Sequence, residues 1–181
     1  MSVITRAAAI AALLLASACS GQPEVLEPDP TASETPSAAI TPPPKPKAVD
    51  EDSEAGAATF ANYWVSVSDY AASTGDTTEL SRISSEECEP CQTFIELYRK
   101  THRSGGSFSG GDQTFTDVSV RRAGSGKMFV YAKVTAKDGT FKASAKAPLK
   151  NEKGGTDSVV YTVVRAGAGW KMGHQALEEA S

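Results

Sequence analysis

DEDSEAGAATFANYWVSVSDYAASTG, residues 50–75, decides the fold. Phe60, Tyr63, Trp64, Val67, Tyr70 and Ala71 recur at the i, i+3, i+4, i+7 spacing that gives a helix one apolar face. Asp50, Asp52 and Ser53 gather at its start, where carboxylates complement the helix dipole and a serine can cap free N–H groups. Gly75 ends it, since glycine takes the left-handed backbone of a helix terminus without strain. A helix with this many aromatic residues on one face needs a surface to bury them.

The chain downstream supplies that surface. Asp76-Thr77-Thr78-Glu79 resembles a capping box with Asp in the Ser/Thr slot, and it opens a short helix over Leu80 and Ile83. A third helix follows. Pro90 suits its first turn, Cys91, Phe94, Ile95 and Tyr98 form its apolar face, and Gly105-Gly106 stops it. The Gly105–Gly111 stretch reads as a flexible helix-to-strand connection. It lacks the Gly-Lys-Ser/Thr that a phosphate loop requires.

From there the apolar period changes to two. Thr116, Val118 and Val120 alternate with polar residues, and Val130, Ala132, Val134 and Ala136 oppose Phe129, Tyr131 and Lys133. Asp138-Gly139 predicts a two-residue hairpin leading into a strand through Phe141, Ala143, Ala145 and Ala147. Gly154-Gly155 separates that strand from Val159–Arg165, and Ala166–Gly169 turns into a last strand centred on Trp170-Lys171-Met172. Helices followed by a run of antiparallel strands make an α+β domain. A strongly curved sheet wrapping the first helix would take Phe60, Trp64 and Val67 on its concave face.

This domain is expected to run over residues 50–177, with a tail at 178–181. About 130 residues bury one core, and no internal repeat or second domain is visible. Ahead of it, residues 19–49 read as a disordered linker. Eight of the ten prolines fall between Pro23 and Pro46, and no aromatic residue precedes Phe60, so the segment lacks the apolar surface to offset chain ordering. Residues 1–18 read as a targeting segment. Arg6 is followed by an uncharged apolar run, Ala7 to Leu15, too short for the ~20 residues that cross a bilayer. Leu15-Ala16-Ser17-Ala18-Cys19 then matches a lipobox, which predicts lipidation of Cys19. Secretory cleavage after Ala16-Ser17-Ala18 fits the same residues, but it would leave Cys19 unpaired in an exported chain. A diacylglyceryl group with an added acyl chain anchors stably. The expected location is therefore the extracytoplasmic face of the cell membrane, held through Cys19.

The chain carries 18 basic and 22 acidic side chains, a net charge of −4. The cations concentrate late in the chain. Lys133, Lys137, Lys142 and Lys146 fall at alternating positions in strand-like runs, the pattern of a solvated sheet face; an anionic partner is the other reading. No nucleic-acid signature is present.

The order of elements resembles the cone-shaped fold of the nuclear transport factor 2-like superfamily, which includes ketosteroid isomerase and polyketide cyclases. Trp170-Lys171-Met172 looks like that superfamily's usual last strand. More specifically, Glu54-Ala55-Gly56-Ala57, Phe60, Tyr63-Trp64, Ala71, Thr74-Gly75-Asp76, Cys88, Cys91, Gly105-Gly106 and Gly110-Gly111 resemble the actinobacterial lipoproteins of domain of unknown function 6318. The resemblance implies a lipid-anchored extracytoplasmic domain. It carries no catalytic assignment.

Cys88-Glu89-Pro90-Cys91 is the motif with the most chemical potential. In an exported chain the even pair left after Cys19 is lipidated predicts a structural disulfide. A thioredoxin-like role would need a preceding buried strand and low-pKa thiols, whereas Glu86, Glu87 and Glu89 would raise a thiol pKa. A zinc site would need His102 and one more ligand beside the pair. His102 reads instead as a helix C-terminal dipole partner, and His174 as a surface residue. For acid–base chemistry in a cone, Asp69 falls ~180° from Phe60, on the solvent side. Asp117 could face either way, and Tyr63, Tyr70 and Tyr98 read as core residues. The sequence thus predicts no catalytic residue, no metal and no cofactor. It predicts a binding module for a small apolar ligand or an envelope protein, with a second copy of the chain as a further candidate partner. A small-molecule enzyme of the isomerase or cyclase type is the alternative, and a thiol-disulfide oxidoreductase a more distant one.

Overall fold

The structure, a computed structural model, describes residues 40–178. The predicted targeting segment, Cys19, most of the predicted linker and the end of the predicted tail lie outside them.

The packed body begins ahead of the expected boundary at residue 50. Lys47–Asp50 form a 3-10 turn, and Val49 is buried at 1% exposure. Two cations and an indole hold this turn. Lys45 pairs with Asp50 at 2.7 Å, Arg165 donates to the Asp50 carbonyl at 3.0 Å, and Trp170 Nε1 donates to the Glu51 carbonyl at 2.9 Å. None of these residues forms a periodic pattern with Val49, so composition alone placed the boundary too late.

Helix α1 spans Glu54–Thr74, capped by Ser53, whose side chain accepts from the Gly56 N–H at 2.9 Å, and closed by Gly75 at φ 78°. Phe60, Tyr63, Trp64, Val67 and Ala71 are buried, as their spacing predicts. Helix α2 spans Thr78–Ile83. The Asp76 carboxylate accepts from the Thr78 N–H, while Glu79 turns away to bind Arg82 and the Tyr63 hydroxyl, so the capping box does not close reciprocally. Helix α3 spans Glu89–Arg103 with Cys88 at its cap. Cys91, Ile95 and Tyr98 are buried, but Phe94 is 38% exposed. The stripe is narrower than expected because the face of α3 beyond Ile95 looks onto an open groove.

Among the described residues, seven strands follow. β1 (Ser107–Gly110), β4 (Gly139–Lys142) and β5 (Lys150–Glu152) form a small antiparallel sheet, in the order β1-β4-β5. β2 (Gln113–Arg122), β3 (Lys127–Ala136), β6 (Gly155–Ala166) and β7 (Gly169–Leu177) form the main antiparallel sheet in the order β2-β3-β6-β7. The α+β architecture is helices packed on a curved antiparallel sheet. The curvature comes with two register shifts, between Thr116 and Ser119 in β2, and opposite Thr162/Val163 where Gly173 of β7 is left unpaired. The β2 bulge also resets parity: Phe115 and Val120, five residues apart in sequence, both pack against the core, while Val118 is 43% exposed.

Asp138-Gly139 is not a hairpin turn. β3 pairs with β2 and β6, and at Asp138 the chain leaves the main sheet for the small one. The strand expected through Ala147 stops at Lys142, and residues 143–149 form a loop. Lys146 sits in this loop and Lys137 lies between strands, so the predicted lysine face does not exist as a strand face. The Gly-rich connection is instead a strand. Phe108 of β1 meets Tyr98 edge-on at 5.4 Å and Phe141 at 4.8 Å, and this aromatic contact orders it.

The core lies between α1 and the concave face of the main sheet. Trp64 and Tyr161 approach at 6.5 Å between ring centroids, and Phe115 stacks on Tyr161 at 5.4 Å. Among the described residues, no helix is long and apolar enough to cross a membrane.

Candidate functional site

Two recesses open on the concave side, and Gln113 and Ala136 line both. The larger is a groove of about 330 Å³ between α3 and the main sheet. Phe94 forms one wall; Val134, Val159, Tyr161 and Leu177 form the other. Gln113, Asp157 and Gln175 are its polar groups. The smaller recess, about 220 Å³, lies over the C-terminal half of α1 and includes Asp69, Tyr98, Phe108 and Lys137.

Asp69 is the main surprise of this face. It was expected in solvent, yet it is half-buried against the start of β2. Its Oδ2 accepts from the Gln113 backbone N–H at 2.9 Å, and its Oδ1 from Gln113 Nε2 at 2.8 Å. A curved sheet explains the difference. The side of a helix it covers rotates along the helix axis, so a residue opposite Phe60 can meet β2 two turns later. Burial raises the Asp69 pKa above the ordinary aspartate range, the two Gln113 bonds pull it back, and Asp112 pushes it up again. Tyr98 shares a hydrogen bond with Ser68 at 3.1 Å. Burial and the Asp69 charge raise the pKa of both Tyr98 and Tyr161.

The other sequence candidates lie elsewhere. Asp117 occupies the β2 bulge at φ 52° and pairs with Lys133 at 2.8 Å, away from both recesses. Tyr63 donates to Glu79 at 3.0 Å; burial and then Glu79 push its pKa up to about 12. His102 donates from Nε2 to the Ala72 carbonyl at 2.7 Å, so it serves the C-terminal end of α1 as well as closing α3. His174 is exposed on β7. Among the described residues, no three His, Cys, Asp or Glu side chains come together as metal ligands.

Cys88 and Cys91 lie at disulfide distance, and both are fully buried. Neither sulfur is accessible to a substrate disulfide, which thiol exchange requires. A bridge between them would staple the first turn of α3, where Cys88 Sγ accepts from the Cys91 N–H at 3.3 Å. Closing so short a loop is worth about 2 kcal/mol on the chain-entropy account. Reduction is therefore expected to lower the free energy of unfolding by about that amount, read as a shift in urea midpoint. Mass spectrometry of the protein denatured without reductant should find no alkylated cysteine at 88 or 91. Full alkylation without reductant would show the pair open.

Sequence reasoning missed Gln113 and the exposure of Phe94. Gln113 follows the Gly110-Gly111-Asp112 turn, where nothing distinguishes a positioning residue from a solvated one.

The fold is similar to that of the intermembrane-space region of the chloroplast protein ARC6, with a TM-score of 0.53 and 13% identity over 72% of this chain and 99% of that chain. Aln2 from a Streptomyces species is also similar, at TM-score 0.43 and 16% identity over 65% of this chain and 86% of that one. So is an NTF2-like protein with a cystatin-like fold from Novosphingobium aromaticivorans, at TM-score 0.38 and 13% identity over 67% and 81%. At these identities the likeness speaks to fold alone. No curated protein matches the sequence. Residues 29–175 match a family of unknown function, DUF6318, and the chain belongs to that family.

Proposed function

We propose that this protein is a lipid-anchored extracytoplasmic module, tethered through Cys19, whose concave groove binds a small apolar ligand without acting on it. The groove carries this reading. Its volume of about 330 Å³ is at the lower end of small-molecule sites, roughly 300–1,000 Å³. Its walls are mostly apolar, with a few polar groups to orient a ligand. The lipobox residues support the anchor, and the family resemblance agrees with it.

The alternative, an isomerase or cyclase with Asp69 as base, has one observation behind it: burial raises the Asp69 pKa. Against it, each Asp69 oxygen already accepts a hydrogen bond from Gln113. A carboxylate so engaged is a poorer base and is fixed on the strand it holds.

The binding test uses anilinonaphthalene sulfonate as an apolar fluorescent probe. Saturable one-to-one binding to the folded protein is expected. Ala176→Trp, at an exposed position lining the groove, should fill it and weaken the probe by about tenfold or more, on the order of 1.4 kcal/mol. Phe94→Ala should weaken it less. Equal affinity in Ala176→Trp, with an unchanged unfolding midpoint, would place the probe elsewhere and remove the groove as the binding site.

A further inference from the structure

We propose that the C-terminal turn of α3 and the loop between β4 and β5 form a second, protein-borne contact with an anionic lipid bilayer, a proposal that rests on the reading of the protein as membrane-anchored. The Ala145 N–H donates to the Ser104 carbonyl at 2.8 Å, and Gly106 lies against the backbone of Lys142 and Ala143. These contacts seat the loop of residues 143–149 on the end of α3. They bring Lys142, Lys146 and Lys150 to the same end of the domain as Lys100 and Arg103.

The charges there are largely uncompensated. Among the described residues, Lys100, Lys142, Lys146 and Lys150 form no ion pair, and Arg103 pairs only with Glu96. Lys133, Lys137 and Lys153, in the same half of the chain, each meet an aspartate. The opposite end of α3 is acidic, with Glu86, Glu87 and Glu89 around its start. An anionic surface would attract one end of this helix and repel the other, which orients the domain.

Leu149 separates a bilayer from other polyanions. It is 62% exposed, follows Pro148 and sits between Lys146 and Lys150. An exposed leucine among lysines suits a headgroup interface, where the apolar tip enters the acyl boundary and the ammonium groups stay with the phosphates. A dissolved polyanion would make no use of it.

The geometry allows both contacts at once. The 21-residue α1 places this patch about 30 Å from the turn at 47–50. The 28 residues from Cys19 to Lys47 can reach up to ~100 Å. Such a tether holds the patch near the surface at an effective concentration on the order of millimolar, so a weak contact suffices.

The experiment uses the chain from residue 19 onward with Cys19→Ser, which lacks both the apolar targeting segment and the lipid and leaves the patch as the tested contact. Vesicles of phosphatidylcholine with about one-third phosphatidylglycerol should sediment the protein at low salt and release it at high salt. Lys146→Gln with Lys150→Gln should weaken partitioning roughly 25-fold, about fivefold for each lysine. Leu149→Ser should weaken it several-fold. Equal binding to pure phosphatidylcholine, or full binding by the double variant, overturns the proposal. So does competition by polyphosphate with Leu149→Ser silent, which would assign the patch to soluble polyanions. Fatty-acid labelling of the chain with Cys19 intact reads the anchor separately, so loss of one contact is not mistaken for loss of the other.

Discussion

Trp64→Ala is expected to destabilise the domain by about 3–5 kcal/mol, the range for truncating a large buried aromatic. Trp64 is 2% exposed and faces Tyr161 across the core. Its role extends beyond area. The indole Nε1 donates to Ser84 Oγ at 2.9 Å, and that hydroxyl donates to the Leu80 carbonyl at 2.7 Å. Ser84 forms a bridge with Met172, and the Ser85 N–H donates to the Met172 carbonyl at 2.8 Å. One side chain on α1 therefore ties the segment after α2 to strand β7. Truncation leaves a cavity and also removes the donor to a buried hydroxyl. Trp64→Phe separates the two effects, because it keeps most of the ring and loses the N–H. It should cost about 1–2 kcal/mol. Urea denaturation of the three proteins measures both values. A loss below about 1 kcal/mol for Trp64→Ala would mean that the core can collapse around the gap.

Residues that sit in one environment along their whole element were readable from the sequence. The α1 stripe of Phe60, Trp64 and Val67 faces the core over its full length, and Met128 to Val134 alternate without interruption in a central strand. Reading failed where the partner changes along the element. Asp69 shares a helix with Phe60, but the sheet has turned around the helix by the time it is reached. Asp138-Gly139 has the chemistry of a hairpin turn, yet the chain there changes sheets, and a dipeptide carries no information about which strand comes next to it. The bulge at Asp117 inverted the parity of β2, and no single residue signals it. β5, Lys-Asn-Glu, has no apolar residue at all, because an exposed edge strand needs none. The candidate site inherits these failures. Its apolar wall was visible as Val134, Val159 and Tyr161, but the Asp69–Gln113 link lies where two misread segments meet.

That link leads to the second large effect. Asp69→Ala is expected to cost about 2–3 kcal/mol near neutral pH, the order of losing hydrogen bonds to a charged acceptor and leaving a donor unpaired. The donors left behind are the backbone N–H and side-chain amide of Gln113, the first residue of β2. Asp69→Asn should cost much less, because its carbonyl can still accept from the strand and the Gln113 amide can turn to meet it. The two variants also differ from the native protein in pH dependence. Burial raises the Asp69 pKa in the folded state, so the native protein holds a proton that the unfolded chain has already lost. In that window, just above the ordinary aspartate range, the unfolded state binds fewer protons and stability falls as pH rises. Asp69→Asn removes this slope and should flatten the stability profile just above the ordinary aspartate range. A catalytic Asp69 would behave differently: its alanine variant would fold as well as the native protein and lose turnover instead. Urea midpoints across this range for the three proteins decide between the roles. If Asp69→Ala is as stable as the native protein, Asp69 does not hold the strand and the case for it as a base reopens. If the variant is destabilised and probe affinity in the groove falls with it, Gln113 is the hinge between the two, since it borders both recesses and depends on Asp69 for its place.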